Sequence, residues 1–414
     1  MMMALLFLPA ALTSSLPFPY NWSQFPAAWF GANDSSWEGR AQISALSQYS
    51  MAIFGWQALI SATNWTASVY AQLAQAAVVK AEHPELPVFV YTGFGNANGY
   101  NAATWPLIKG ASDGCPGHQP CRKVPEPYTD WFLETESVPV YSMSACEQMG
   151  MGYSNPPTDR CWNPIWNVAN SSMRDYFIEH IIQPLAAAPM IDGVFFDCFN
   201  YAYSLPTPWN RRAVNVPNCT PAGGAGCEAL LEGTIALARR VALALNARGK
   251  VPIFSNPASF TRSGEAIWLD EARLVAGLAG TQYLFNYEFM RAEKLAATGQ
   301  LANMIREAQL GVPVGVHVYY KNATEDPTPH VAAFLLLRAE SWYFFGSTGW
   351  LDTDWQWSAV YDTVSACGKP LGVAKGVPAP TVYARQYEGC NVLLNCTDVN
   401  NCVASISMLR HDSK

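Results

Sequence analysis

Two acids in this 414-residue sequence each close a short apolar run. Asp197 follows Val194-Phe195-Phe196 in IDGVFFD, and Glu288 follows Tyr287 in YLFNYE. An ionised carboxylate at the end of a buried strand is costly unless it is paired or hydrogen-bonded. Each acid therefore has either a structural partner or a chemical task. For Asp197 the structural alternative is a nearby arginine or a set of loop N–H groups. For Glu288 it is a place in the first turn of the following helix, where negative charge complements the dipole. Asp192, at the opposite end of the first run, reads as a turn or capping residue. Two carboxylates sharing one pocket can cleave an acetal: one protonates the leaving oxygen, and the other attacks or stabilises the oxocarbenium-like centre. Burial beside aromatic rings separates their pKa values in the way this requires. The first assignment is Asp197 as nucleophile and Glu288 as acid/base, with the exchanged roles left open.

Other residues fit a sugar site around such a pair. Asn256 ends the run VPIFSN and either bonds a hydroxyl or shapes the turn before Pro257. His317 and Tyr319 close VPVGVHVY; the histidine is either functional or a hydrogen-bonded structural residue. Trp29, Trp56 and Tyr91 are either stacking platforms or core. Trp350, Asp352 and Asp354 lie in GSTGWLDTDWQW, a loop-like segment whose acids and indoles suit sugar hydroxyls and ring faces, or else fold into Asx turns.

These residues need a frame. The apolar runs begin at Ala28, Met51, Val88, Ile191, Val251, Tyr283, Val312 and Trp342. Continuous apolar runs of this length suit parallel strands buried on both faces. The last four recur at intervals of roughly thirty residues, the length of a strand, a helix and two turns. Helical patterns fill the gaps at 230–248, 291–309 and 330–340. The expected fold is α/β, a (β/α)8 TIM barrel spanning 16–365, with function at the C-terminal strand ends. A doubly wound sheet is the alternative, but GANDSSWEG after the first run is no GxGxxG turn. The stretch 93–188 reads as a disulfide-stapled insertion, and 366–414 as a small C-terminal β region.

The start, MMMALLFLPAALTSS, resembles a secretory signal over 1–15 and is too short to span a bilayer. Sequons stand at Asn21, Asn33, Asn64, Asn170, Asn218, Asn322 and Asn395. The 11 cysteines suggest the pairs Cys115–Cys121, Cys146–Cys161, Cys219–Cys227, Cys367–Cys390 and Cys396–Cys402, leaving Cys198. Together these features predict a secreted or lumenal glycoprotein without a membrane span. With no CxxC and 6 histidines, no zinc site is expected, and no metal or organic cofactor is implied. Net charge −7 excludes a general pull toward nucleic acid. Apolar content of 50% with 14% charged residues excludes a disordered chain. HExxH and GxxxxGK[ST] are missing from the sequence, so zincin and P-loop chemistry have no motif.

IDGVFFD, YLFNYE, SWYFFGSTGW, GKPLGVA and VYARQYEGCNVLLN, spread over roughly 190–397, together resemble the hypothetical glycosyl hydrolases of TIM-barrel type. That group is distantly similar to endo-α-1,4-polygalactosaminidases and the α-galactosidase clan. The resemblance implies a nucleophile or base at the end of strand four and a partner acid on strand six, which map to Asp197 and Glu288. The chain departs from it in the Cys-rich insertion and in Cys198 beside Asp197. The expected function is secreted glycoside hydrolysis of a poly- or oligosaccharide. The alternatives are a non-catalytic carbohydrate-binding barrel, and a structural surface protein with its barrel mouth plugged. Oligomeric state is left open.

Overall fold

The computed structural model describes residues 16–31, 40–55, 68–97, 101–108, 112–115, 118–124, 126–133, 164–199, 224–257, 273–288, 290–309, 311–348, 357–376, 381–398 and 400–409. The fold is a nearly closed (β/α)8 barrel. Its strands are β1 (Ala28–Gly31), β2 (Met51–Phe54), β3 (Val88–Gly93), β4 (Gly193–Asp197), β5 (Val251–Ser255), β6 (Leu284–Tyr287), β7 (Val314–Tyr319) and β8 (Trp342–Ser347). They lie in one sheet in chain order. A parallel bridge from Ala27 to Phe344 brings the first strand against the last. Every residue of β3, β5 and β6 is buried, as parallel strands covered on both faces must be. Between them run helices including α1 (Arg40–Ala45), α2 (Ser68–Glu82), the helical segment α3 (Ser171–Tyr176, Phe177–Ile182 and Gln183–Ala187) and α4 (Ala225–Asn246). Later come α5 (Ala292–Ala297), α6 (Gln300–Gln309), α7 (Thr328–Leu337) and α8 (Ala359–Ser365).

Chain contacts define two compact units. One holds the described residues of 32–44 and 53–283 and is built on β3, β4 and β5. The other holds those of 1–31, 45–52 and 284–414 and is built on β1, β6, β7 and β8.

In the first unit, Phe196 stacks on Phe254 at 5.6 Å, while Phe94 packs against Phe196 and against Phe177 of α3. That aromatic layer marks the helix side of β4, so alternation turns Gly193, Phe195 and Asp197 to the inner face. Gly193 has no substitute there: a Cβ would lie 2.4 Å from the ring of Phe89 and 2.0 Å from the carbonyl of Val251. Within the insertion, Ser112–Cys115 pairs with His118–Lys123 as an antiparallel hairpin, and Phe132–Leu133 pairs with Ile165–Trp166.

In the second unit, the 291–309 helical pattern divides into α5 and α6. Gly299, at φ +71°, ends the first helix in the left-handed region. Helix α7 is buried along its length from His330 to Leu337, which an amphipathic barrel helix would not be. The cause is the antiparallel sheet β9 (Lys375–Gly376), β10 (Val382–Gln386), β11 (Cys390–Asn395) and β12 (Val403–Met408), which covers its outer side. Arg385 of β10 donates to the carbonyls of Leu335, Leu336 and Arg338, and the Tyr387 hydroxyl donates to Leu335 at 2.6 Å, satisfying the end of α7. Disulfides Cys367–Cys390 and Cys396–Cys402 brace this sheet, and Cys227 is disulfide-bonded as well. Cys198 keeps a buried thiol. Cys146, Cys161, Cys219 and the signal-like segment 1–15 lie outside the described residues, as do the side chains of Cys115 and Cys121. Among the described residues no helix is long and apolar enough to cross a membrane.

Candidate active site

Asp197 is the last residue of β4 and the only one of that strand that is partly exposed. Strands β3 and β4 run parallel with Tyr91 level with Phe195 and Gly93 level with Asp197. This register puts Tyr91 on the same face as Asp197 and just below it. The Tyr91 hydroxyl donates to Oδ2 at 2.6 Å, and the Cys198 N–H donates to Oδ1 at 2.7 Å. Tyr91 is itself fixed from both sides: its ring stacks on Phe195 at 6.1 Å, and its N–H donates to the Gln72 side chain of α2 at 2.6 Å. Burial raises the Asp197 carboxyl above the ordinary carboxylate range, against the lowering pull of Tyr91 and Cys198. Among the described residues no lysine or arginine pairs with it.

The backbone turns sharply beyond this acid. Cys198 has φ +58°, and Asn256, directly after β5, has φ +50°. Asparagine tolerates the left-handed region; cysteine enters it less readily. Strained residues of this kind persist only where the surroundings hold them. Here the Asp197–Cys198 bond is one of the restraints.

Asp192 sits at the other end of the same strand and differs in every respect that matters. Its Oδ2 accepts the Val88 N–H at 2.7 Å and faces Lys80 Nζ at 2.7 Å. Its backbone N–H donates to Val88 and its carbonyl accepts from Val251. It ties β3, β4 and β5 together at their entrance, as a capping residue should. Lys250 adds to this tie by donating to the carbonyls of Ala188 and Ile191.

In the second unit Glu288 lies one residue beyond β6 and is half-buried. Tyr287 is level with Val316 of β7, so Glu288 follows to the level of His317. His317 and Phe345 are paired and in ring contact at 4.4 Å, and Phe345 meets Phe30. These rings mark the inner face, because Phe344 packs outward on Phe334 of α7. His317 is fully buried, with Nε2 at 2.8 Å from Ser347 Oγ. Burial lowers its pKa to about 3, so it stays neutral near pH 7 and acts as a hydrogen-bonding ring. Tyr319 reaches the strand end 39% exposed.

A salt-bridge cluster holds the chain just past Glu288. Arg291 pairs with Glu293 and Glu325 and donates to the Tyr319 carbonyl at 2.6 Å. His330 approaches Glu325 at 3.3 Å and accepts the Ala292 N–H. Burial would raise the Glu325 carboxyl, but Arg291, the Lys321 N–H and His330 overcome it and hold it at about 2. The Met290 N–H donates to the His317 carbonyl at 2.9 Å, so the turn after β6 is fastened to β7.

Trp29 is placed differently. Ala27 pairs with outward-facing Phe344, so alternation turns Trp29 outward too. Its ring lies over Gly31, 5% exposed, on the helix side of the sheet. Trp56, Trp350, Asp352 and Asp354 lie outside the described residues. The sequence reading gave no role to Ser347, Arg291 or Glu325, and it read Tyr91 as a stacking platform or core, where the structure offers its hydroxyl to Asp197. Nothing local signals that bond, since the partners are 106 residues apart.

No protein-family model matches the sequence. No curated protein matches it either. Its neighbours among solved structures include glycoside hydrolases. The glycoside hydrolase domain of PelA from Pseudomonas aeruginosa is 12% identical, with 80% of this chain and 96% of that chain covered and a TM-score of 0.41. A GH30 endoxylanase from Clostridium papyrosolvens is 11% identical over 93% and 82% of the two chains, with a TM-score of 0.39. D-allulose 3-epimerase from Methylomonas, not a hydrolase, is 10% identical over 79% and 85%, with a TM-score of 0.40.

Proposed function

We propose that the chain is a secreted glycoside hydrolase acting on a poly- or oligosaccharide, with Asp197 and Glu288 as its carboxylates. One observation carries this reading: Asp197, at the C-terminal end of a barrel strand, is largely buried, has no cation paired with it among the described residues, and is held on both oxygens by neutral donors. Donors on both oxygens favour the carboxylate, against the burial that raises its pKa. Burial leaves that anion weakly solvated, so it gains most when positive charge develops nearby. An oxocarbenium-like centre supplies that charge. Asp197 is accordingly the nucleophile, with Tyr91 fixing its orientation. Glu288, at the end of the sixth strand, is the acid/base that protonates the leaving oxygen. Asn256, His317 and Tyr319 are proposed to bind sugar hydroxyls, with Trp56, Trp350, Asp352 and Asp354 of the sequence motifs as further contacts. The signal-like start, the sequons and the disulfides support export by a secretory route.

The test is a glycan panel headed by α-1,4-linked polygalactosamine, the substrate class that the motif resemblance suggests. Asp197→Asn and Glu288→Gln should each lose about two to four orders of magnitude in kcat. Wild-type rates in both variants would end the proposal. Tight glycan binding by the wild type without any product would replace hydrolysis with binding alone.

A further inference from the structure

We infer that Asn395 carries an N-linked glycan and that this glycan covers the outer face of the C-terminal sheet. The inference rests on the export reading above. Strand β11 alternates cleanly: Cys390, Val392 and Leu394 are buried, whereas Asn391, Leu393 and Asn395 are exposed. The outer face they form is partly apolar. Leu393 is 41% and Val403 63% exposed. Asn395 ends its strand at one margin of this face, level with Val382 of β10 on one side and Val403 of β12 on the other. No protein element described here covers these residues.

Asn395 is also the asparagine of a sequon, Asn395-Cys396-Thr397. Both the N–H and the hydroxyl of Thr397 donate to its Oδ1, at 2.9 and 2.6 Å. The amide oxygen is thus occupied, on an exposed residue at the strand end. Asn322 has the same arrangement with Thr324, at 3.0 and 2.8 Å, on an exposed loop. Asn170 does not. Its Oδ1 caps α3 by accepting the Met173 N–H, and its Nδ2 donates to the Asp130 carbonyl at 3.3 Å. The four sequons in described segments therefore differ in kind: Asn21, Asn322 and Asn395 present exposed amides, and Asn170 uses its amide to hold the fold. In the transfer, Nδ2 bonds to the anomeric carbon of an oligosaccharide carried on a lipid diphosphate. The carbon–oxygen bond to the diphosphate breaks with its electron pair, the amide loses one proton, and the lipid diphosphate departs. The apolar faces of the first sugars then lie over Leu393 and Val403, which shields a patch that would otherwise favour association.

The full chain, secreted from a eukaryotic host, would be digested after enzymatic deglycosylation in heavy-oxygen water, so that each formerly glycosylated asparagine is mass-tagged. The tag is expected at Asn395 and Asn322 and not at Asn170. Trimming the glycans from the folded wild-type protein should raise binding of an apolar dye and bring on self-association, and Asn395→Gln should do the same. Adding Val403→Thr to Asn395→Gln should reverse the rise; Asn322→Gln alone should not cause it. An untagged Asn395 beside a tagged Asn322 would overturn the inference and leave export standing. Tags at no sequon would overturn both. Unchanged dye binding after trimming would overturn the shielding role.

Discussion

The two ends of β4 carry the same residue type five positions apart and use it in opposite ways. Asp192 meets a lysine and a backbone N–H where the strands enter the barrel. Asp197 meets a tyrosine hydroxyl and the N–H of a strained neighbour where β4 leaves it. An acid with a cation beside it is spent on the fold. An acid with neutral donors and little solvent is the one proposed for chemistry, and its ionisation weakens the fold. The difference teaches that the partner, rather than the acid, distinguishes a structural carboxylate from a chemical one.

The largest test of that contrast is Asp197→Asn. It should cost about two to four orders of magnitude in kcat. Its Tm near pH 7 should be at least that of the wild type, because a raised folded-state pKa means ionised Asp197 opposes folding above that pKa. A lower Tm with activity intact would make the two aspartates alike. A second test concerns acid stability. His317 titrates at about 3 in the fold against 6.5 ordinarily, so its stability contribution is full above 6.5 and is lost as pH falls toward 3. Glu325 follows, its contribution present above 4.5 and lost as pH falls toward 2. Tm measured from pH 7 to 3 should fall steadily, and His317→Gln should flatten the upper part of that slope. An unchanged slope would remove His317 from the account.

Tyr91→Phe gives a smaller effect. It removes one hydrogen bond to a charged acceptor, so kcat/KM should drop roughly ten- to hundredfold. Because that bond lowers the Asp197 pKa, its loss should also shift the acidic limb of the pH–rate profile upward. A drop without the shift would mean that Tyr91 only fills space. The smallest effect belongs to Asp192→Asn. Denaturant titration should find it about 1 kcal/mol less stable, since the ion pair is partly exposed. Its kcat should match the wild type.

Much of the barrel could be read in advance because buried parallel strands must be continuously apolar, and the runs ending in Asp197 and Glu288 are of that kind. Asp192 was legible too, since an acid before a strand that starts Gly-Val-Phe has the chemistry of a turn. Trp29 was not. Its type suits either face, and only the Ala27–Phe344 bridge settles that it lies on the helix side. The helix at 330–340 was legible, but the burial of α7 was not. Its lack of an exposed face makes sense only once the C-terminal sheet lies over it.

By itself, the order of residues determined which strands are buried and where each acid falls along its strand, because burial and alternation are local demands on a few neighbouring side chains. Tertiary structure alone decided what each acid meets. Tyr91 reaches Asp197 through the register of two parallel strands whose paired residues stand more than a hundred positions apart, and Lys80 reaches Asp192 from α2. Hydrogen bonding and charge pairing act through space over about 3 Å, so no local pattern can encode them.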